Sequence, residues 1–267
     1  MSAPEIRPFA PADAAGAAAL LSPLVAPDYP VTAAAVLHLV RAADPGDGAW
    51  WVAEAGGEIV GWAQNERHYS ARGGGVQRVW AAVRPDHRRR GLGGRLFEAA
   101  EKLALSKHPC MLRSWAVADQ PDGARFLRAH GYEHRRTDRL WALDPATVDL
   151  SDLPRREREA ASAGYSLAPL RDGSVVVLAG DEPVALAWLY VDRKRGLAGN
   201  AMTGTLREHR HRGLARLAKL ATMRWAVGHG IRRIATGNDS TNRDMLALNQ
   251  HLGYLPLPDF EVFARAP

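Results

Sequence analysis

The sequence predicts an α/β protein composed of two tandem domains of similar design. Strand-like and helix-like patterns of apolar residues alternate along the chain, and the order of these patterns occurs twice. Each copy also contains an arginine-glycine junction directly before a helical pattern, "HRRRGLGGRL" at 87–96 and "HRHRGLARLA" at 209–218. The alternation predicts the fold class, and the repetition predicts the two domains.

A single shift of 122 residues relates the two copies. It superposes His87 on His209, Gly91 on Gly213 and Tyr132 on Tyr254. A constant shift over this length indicates an internal duplication, and the unit is far longer than the roughly 20–50 residues of solenoid repeats. We therefore predict one domain at 1–148 and a second at 149–267.

Each domain is predicted from strand and helix signals in order. The elements expected in the first copy are a short strand from Glu5, helices near 11–21 and 32–43 (the latter capped by Thr32), a hairpin at 50–65, strands at 76–83 and 110–117, a helix from Gly91, a short helix ending at Gly131, and a closing strand. The second copy repeats the hairpin at 174–191, the strand at 198–205 and everything after it. It lacks the two early helices, and the linker at 144–164 is expected to contribute one helix.

Composition limits the class of protein and of partner. Apolar residues make up 46% and charged residues 24%, a globular balance. The single cysteine, Cys110, excludes an intrachain disulfide and a cysteine-rich metal site. No membrane span and no signal peptide is expected, and a cytoplasmic location is predicted. A net charge of +6 favours anionic partners.

The arginine-glycine junction has the features of an anion site. Free amides at a helix start point outward, and the helix dipole favours negative charge there. Glycine lets a phosphate approach the backbone, and arginine adds charge-assisted hydrogen bonds. Neither junction fits the P-loop pattern GxxxxGK[ST], and a dinucleotide fingerprint fails because Leu96 stands at the third glycine.

The order Arg88-Arg89-Arg90-Gly91-Leu92-Gly93, with Arg210-His211-Arg212-Gly213-Leu214-Ala215 in the second copy, resembles the pyrophosphate loop of the GNAT superfamily of acyl-CoA-dependent N-acyltransferases. The endings "FLRAHGY" and "NQHLGY" extend the similarity over nearly all of both halves. The resemblance implies two GNAT-type domains, each with a mixed, mostly antiparallel sheet flanked by helices, the second without its first two helices.

The resemblance also implies acetyl-CoA, or another acyl-CoA, as co-substrate. Its pyrophosphate would lie on the loop amides, its pantetheine arm would pair with a splayed strand edge, and backbone N–H groups would hold the developing oxyanion. The residues implied are, in the first copy, Ala81, Ala82, Val83, Arg88, Arg89, Arg90, Gly91, Leu92, Gly93, Gly94 and Arg95, and, in the second, Thr203, Thr205, Arg210, His211, Arg212, Gly213, Leu214, Ala215 and Asn242. Asn242 is equally well interpreted as a helix cap.

Catalytic residues are less well defined, because the sequence departs from the family pattern. The tyrosine that often protonates the leaving thiolate is replaced by Leu127 and Asn249, and the strand glutamate that serves some members as base is replaced by Gln77 and Gly199. Gln77 and Asn249 are therefore only weak catalytic candidates.

Three classes of function remain open. The first is acetyl transfer to a primary amine of a small molecule or peptide, with the first half favoured for the chemistry. The second is a non-catalytic acyl-CoA-binding or regulatory protein, and the less favoured third is a nucleic-acid-binding protein. We expect a monomer or homodimer with no metal site and no membrane contact. Trp80 and Trp115 are candidates for a cleft wall, whereas Trp62, Trp188 and Trp225 are expected in cores.

Overall fold

The computed structural model describes residues 3–25, 31–42, 48–67 and 75–267. These residues form two compact units. Unit 1 comprises the described residues up to Asp138 together with Pro258–Pro267, and unit 2 comprises Arg139–Leu257. The division thus falls before the predicted boundary at 148, and the end of the chain belongs to unit 1.

The described residues contain thirteen strands and seven α-helices. The strands are β1 (Glu5–Pro8), β2 (Gly48–Ala55), β3 (Glu58–Arg67), β4 (Val76–Val83), β5 (Met111–Val117), β6 (Glu133–Leu143), β7 (Tyr165–Pro169), β8 (Val175–Ala179), β9 (Glu182–Asp192), β10 (Leu197–Thr205), β11 (Arg233–Asp239), β12 (Leu255–Pro256) and β13 (Phe260–Arg265). The helices are α1 (Ala14–Val25), α2 (Ala33–Ala42), α3 (Leu92–Ser106), α4 (Pro121–Ala129), α5 (Leu153–Ser162), α6 (Leu214–Gly228) and α7 (Arg243–His251).

The sheet of unit 1 has the strand order β1-β2-β3-β4-β5-β13-β6. Its neighbours are antiparallel except for the parallel pair β4–β5. The apolar stripe of α3, with Leu96 and Phe97 fully buried, packs on one face together with α4. Helices α1 and α2 pack against Trp62 and Trp80 on the sheet. The mixed, mostly antiparallel sheet and the two early helices are confirmed, and Oγ1 of Thr32 caps α2 by accepting from the Ala35 amide.

The last strand of the chain lies inside the sheet of unit 1. β13 pairs antiparallel with β5 through Val262 and Trp115, and with β6 through Glu261 and Thr137. Phe263 is fully buried in the same core as α3. Because β13 supplies both backbone pairing and core packing to unit 1, the structural unit does not follow the order of the sequence.

Unit 2 repeats the element order of unit 1 without the two-helix insertion. Its strand order is β11-β10-β9-β8-β7, and β7 is followed almost directly by β8 through a short turn at Arg171–Gly173. Helices α6 and α7 lie 122 residues after α3 and α4 and have the same lengths. The shortened second copy is therefore confirmed, as is the linker helix α5.

The tryptophan predictions hold with one exception. Trp62 is fully buried, and Trp225 is partly buried against the core of unit 2. The prediction for Trp188 was wrong, because its side chain is 39% exposed beside Tyr190 on β9. Strand periodicity alone did not distinguish the two faces of that strand.

Candidate functional site

The arginine-glycine loop of unit 1 connects the end of β4 to the first turn of α3. Arg89 and Gly91 adopt left-handed backbone conformations, with φ of 60° and 77°. A left-handed conformation is costly for residues other than glycine, so Arg89 marks a tightly specified turn. The amides of Leu92, Gly93 and Gly94 form the first helical turn and have no acceptor within the helix. Successive free amides of this kind form an anion-binding concavity.

A hydrogen bond from Arg88 joins this loop to the strand before it. Its Nε donates to the carbonyl oxygen of Val83 at 2.9 Å, which joins the loop to the end of β4. A Cβ built on Gly91 or Gly94 would meet nothing within 4 Å, so the surface over the amides is open. The side chains of Arg89, Arg90 and Arg95 are exposed around it. The Leu92 side chain lies in the core, so only its backbone can face a ligand.

The loop of unit 2 has the same geometry. His211 and Gly213 have φ of 61° and 73°, and Nε of Arg210 donates to the carbonyl oxygen of Thr205 at 3.2 Å. Arg212 differs, because its guanidinium donates to the Tyr165 hydroxyl at 2.6 Å. The Leu214 side chain is buried in the core of unit 2, and Ala215 is partly buried.

A cleft opens beside the first loop because β4 and β5 separate. The two strands pair only from Val76 with Met111 to Arg78 with Arg113, although both continue further. Beyond that point lies a cleft of about 220 Å³. Six of the residues implied by the family resemblance line it: Ala81, Ala82, Val83, Arg88, Arg89 and Gly93.

The cleft extends from the arginine-glycine loop to an aromatic wall. At the wall, the rings of Trp80 and Trp115 are stacked with centroids 4.2 Å apart, and Leu24 of α1 contributes to the same lining. The two tryptophans thus lie where the sequence predicted. Phe97 and Leu127 line the cleft on the side of α3 and α4.

A buried hydroxyl faces this cleft, and the sequence analysis missed it. Ser114 on β5 lines the cleft and is only 2% exposed, and its Oγ has no hydrogen-bond partner within the described part of the chain. A buried polar atom without a partner is costly, and a bound ligand can supply the missing bond. A serine in a strand gives no such signal in the sequence.

The two weak catalytic candidates lie in buried hydrogen-bond networks. Gln77 accepts from Nδ2 of Asn65 at 2.8 Å in the paired part of β4, away from the cleft lining. Asn249 is fully buried in unit 2. Two further residues of the predicted site have partners of their own, since Asn242 caps α7 by accepting from the Met245 amide and Thr203 donates to Asn200.

In unit 2 the strands β10 and β11 separate in the same way. They pair from Leu197 with Arg233 to Asn200 with Thr236, after which both continue unpaired with each other. The pairing of β10 with β9 is irregular between Asn200 and Met202, so a bulge lies next to the separation.

A buried lysine lies on α6, the helix that follows the second loop. Lys219 on α6 is 2% exposed, and its Nζ donates to Oδ1 of Asn249 at 2.7 Å. Nδ2 of Asn249 donates in turn to Oδ1 of Asn238 at 2.7 Å. Burial lowers the pKa of Lys219 to about 7. The repeat gave a signal for this network, because the shift of 122 places Lys219 on Phe97 and so puts a lysine at a position that is apolar in the first copy.

Neither a candidate membrane-spanning helix nor a group of metal ligands is found among the described residues. None of their helices is long and apolar enough to cross a membrane. No three of their histidine, cysteine, aspartate or glutamate side chains are grouped as metal ligands.

Family models match both halves of the chain. An acetyltransferase (GNAT) domain model matches residues 46–134, and an acetyltransferase (GNAT) family model matches residues 139–254. The chain belongs to the GNAT family of acetyltransferases. Members of this family use acetyl-CoA, and two consecutive matches confirm the tandem arrangement of GNAT domains.

Curated relatives of this GNAT chain share one name. A mycothiol acetyltransferase of Geodermatophilus obscurus is 33% identical over 153 residues, covering 55% of this chain and 48% of the relative. One from Parafrankia sp. is 36% identical over 109 residues, covering 39% and 31%. The chain thus matches about half the length of the first relative and less of the second.

Solved structures share the fold of this chain over nearly all of its length. A tandem GNAT protein from the clavulanic acid biosynthesis pathway has a TM-score of 0.72 at 22% identity, covering 99% of this chain and 98% of the other. A GCN5-related N-acetyltransferase from Sphaerobacter thermophilus has a TM-score of 0.67 at 16% identity, with coverages of 98% and 95%. At these identities the likeness establishes the fold.

Proposed function

We propose that this GNAT protein transfers an acetyl group from acetyl-CoA to a primary amine of a small molecule or peptide, and that unit 1 carries out the transfer. The observation that carries the proposal is the cleft of unit 1, which joins an open anion loop to an aromatic wall beneath α1. Such a cleft can hold a phosphorylated cofactor at one end and an acceptor at the other.

Acetyl-CoA would bind along the edge of β4 that β5 leaves unpaired. Its pyrophosphate would accept from the amides of Leu92, Gly93 and Gly94, with Arg88 and Arg89 supplying positive charge. Its pantetheine amides would pair with the edge of β4 at 81–83, where β5 no longer does. The first loop and the parting of the strands support this mode of binding, and the second loop supports the same mode in unit 2.

The chemistry follows from placing a thioester at this strand edge. The acceptor nitrogen attacks the thioester carbonyl, a backbone N–H of β4 stabilises the oxyanion, and the carbon–sulfur bond then breaks to release coenzyme A as a thiolate. Ser114 is the buried hydroxyl that can donate a hydrogen bond to this sulfur. The amine must lose its proton before attack, and water in the cleft is the acceptor we assign, because Gln77 is held by Asn65.

Enclosure by the helices supports unit 1 as the catalytic half. Helices α1 and α2 cover the sheet at Trp80, and the stacked pair of Trp80 and Trp115 offers a flat apolar surface to an acceptor. Holding amine and thioester together supplies much of the rate of such reactions. The name of the curated relatives, mycothiol acetyltransferase, supports a small-molecule acceptor.

Release of free thiol from acetyl-CoA in the presence of a panel of amines tests the proposal. We expect amine-dependent release, and Ser114→Ala should lower kcat more than it raises KM. Ser166→Ala is the matched control, since that exposed serine lies in unit 2, on β7. Acetyl-CoA binding without turnover on any amine would contradict the proposal.

A non-catalytic acyl-CoA-binding protein is the second candidate. It is favoured by one observation, namely that Leu127 and Asn249 occupy the positions where many family members carry the tyrosine that protonates the thiolate. Tight coenzyme A binding combined with no turnover would favour this candidate.

A further inference from the structure

Unit 2 contains a buried lysine that has no carboxylate beside it among the described residues. Lys219 is 2% exposed, and burial alone accounts for the lowering of its pKa, with no contribution from a carboxylate. Its neighbours are the Asn249 amide and the ring of Tyr254, whose centroid lies 4.8 Å from Nζ. An ammonium carries three donors, and one of them is used by Asn249. Burying a charge without a counter-charge is costly, so such a site is suited to a ligand that brings the anion.

The equivalent positions in unit 1 show which part of the fold Lys219 and its partners occupy. The shift of 122 places Lys219 on Phe97, Asn249 on Leu127 and Asn238 on Ala116. All three residues of unit 1 line its cleft. Three apolar cleft residues are therefore replaced in unit 2 by three polar residues joined through hydrogen bonds, next to the separation of β10 from β11.

The lysine also fixes the direction of the amide chain. Asn249 presents its oxygen to Lys219 and its NH2 group to Asn238, which is the orientation that a protonated Nζ requires, because an ammonium has donors only. Asn238 consequently accepts with its oxygen and has its NH2 group available, and it is only partly buried. This hydrogen-bond chain thus directs its donors towards Asn238, whose equivalent in unit 1, Ala116, lines the cleft.

We propose that unit 2 is a binding site for coenzyme A in its free form, in which the Lys219–Asn249–Asn238 chain stabilises the thiolate and thereby selects free coenzyme A over its thioesters. On binding, the thiol gives its proton to water while the Lys219 amine takes one up, so that the thiolate and the ammonium form together and the sulfur supplies the counter-charge that Lys219 has no partner for in the unliganded unit. A thioester sulfur is uncharged and cannot do this. The proposal rests on the proposed function only in that the second arginine-glycine loop binds the pyrophosphate.

Calorimetry on the Gly91→Glu protein, whose first loop is blocked, isolates unit 2. We expect coenzyme A to bind about tenfold more tightly than S-methyl coenzyme A or acetyl-CoA. In Gly91→Glu/Lys219→Met the three ligands should bind equally. Lys194→Met is the matched control, because this lysine is exposed in the same unit, and it should retain the preference. Thiolate absorption of bound coenzyme A in the ultraviolet should be present in the Gly91→Glu protein and lost with Lys219→Met.

The outcomes separate two failures. Equal binding of all three ligands to the Gly91→Glu protein, or a preference that survives Lys219→Met, would overturn the assignment of Lys219. No coenzyme A binding to the Gly91→Glu protein would overturn the second loop as well. Acetyl transfer by unit 1 is measured independently in Gly213→Glu. If Lys219→Met fails to fold, Asn249→Leu, which restores the residue of the first copy, tests the same chain.

Discussion

The hydroxyl of Tyr132 donates a hydrogen bond of 2.8 Å to Oε1 of Glu101. Arg265 of β13 reaches the same oxygen with its Nη2 at 3.0 Å, and its guanidinium lies over the Tyr132 ring. The last strand of unit 1 is thus joined to α3 by an ion pair as well as by its backbone. Burial and the neighbouring Glu101 raise the pKa of Tyr132, so its hydroxyl remains a donor.

We expect Arg265→Met to lower the free energy of unfolding by about 2 kcal/mol, because it leaves the mostly buried Glu101 carboxylate without its cation. Arg135→Met is the control, since the pair of Arg135 and Glu133 is exposed and should change stability by less than about 0.5 kcal/mol. Urea unfolding of both variants measures the difference. Equal losses would show that the ion pair at β13 contributes nothing beyond a surface contact.

Gly91→Glu and Gly213→Glu should each remove one coenzyme A site, because each places a side chain and a negative charge over loop amides that are open in the protein. Calorimetry should show one stoichiometric site lost per variant. Gly57→Glu and Gly180→Glu are matched controls. Both are left-handed hairpin glycines with no neighbour near a built Cβ, so they carry the same backbone strain. Unchanged binding in both loop variants would refute the loop assignment.

Turnover should depend on the first loop more than on the second. Arg88→Ala with Gly91→Glu should abolish amine-dependent thiol release. Arg210→Ala with Gly213→Glu should leave most of it, because unit 2 lacks the helices that cover the acceptor side of unit 1. The reverse result would assign the chemistry to unit 2, where the bulge at Asn200–Met202 and the buried Lys219 would then be part of the active site.

Lys219 should make the stability of the protein depend on pH. Burial lowers its pKa from 10.5 to about 7, so between these values the unfolded chain binds one proton more than the folded chain. Stability therefore rises with pH across this window. The destabilisation that comes from burying the protonated Lys219 is fully present below pH 7. Lys219→Met should remove this rise in the free energy of unfolding. The rise is at most roughly 1.4 kcal/mol for each unit by which the pKa is shifted. The hydrogen bond lost from Asn249 costs the same at every pH, so the slope isolates the titration.

Unfolding of Lys219→Met and the parent between pH 6 and pH 9 measures that slope. The exposed control Lys194→Met should follow the parent. A parent whose stability relative to Lys219→Met does not change with pH would show that Lys219 keeps its ordinary pKa.

Limited proteolysis should cut in the linker at 145–165, and we propose that the exposed residues near Asp149 and Ser151 are cleaved first. The nicked protein should elute as one species under native conditions, because the C-terminal fragment still contains β13, which belongs to unit 1. Two fragments should separate only in denaturant. Two compact pieces that part without denaturant would show that β13 is not needed by unit 1.

Local patterns were sufficient for the repeated elements. The apolar spacing after Gly91 predicted α3, and the shift of 122 then predicted α6, because the same stripe faces a sheet in both units. The left-handed conformation of Gly91 follows from the turn that a strand-to-helix reversal requires. The place of the loop between a strand and a helix could therefore be predicted, whereas the left-handed conformations of Arg89 and His211 were not.

Non-local pairing and burial could not be predicted in this way. Nothing in "FEVFAR" distinguishes a strand that pairs with Trp115 and Thr137 from one that pairs with its sequence neighbours. The burial of Ser114 and Lys219 depends on which face their elements present to the interior. A single sequence shows the spacing of those residues and not what covers them.

The position of β13 has a consequence for biosynthesis. A ribosome delivers Phe260–Arg265 only after every residue of unit 2 has left the exit tunnel. Until then β5 and β6 lack the strand that lies between them, and the core around Phe97 lacks Phe263. Unit 1 therefore stays incomplete throughout the synthesis of unit 2, whose own core is completed by Leu252 and Tyr254 only shortly before β13 emerges. The domain that begins first is therefore completed last, and its half-built sheet is the stage at which a chaperone would find exposed strand edges to protect.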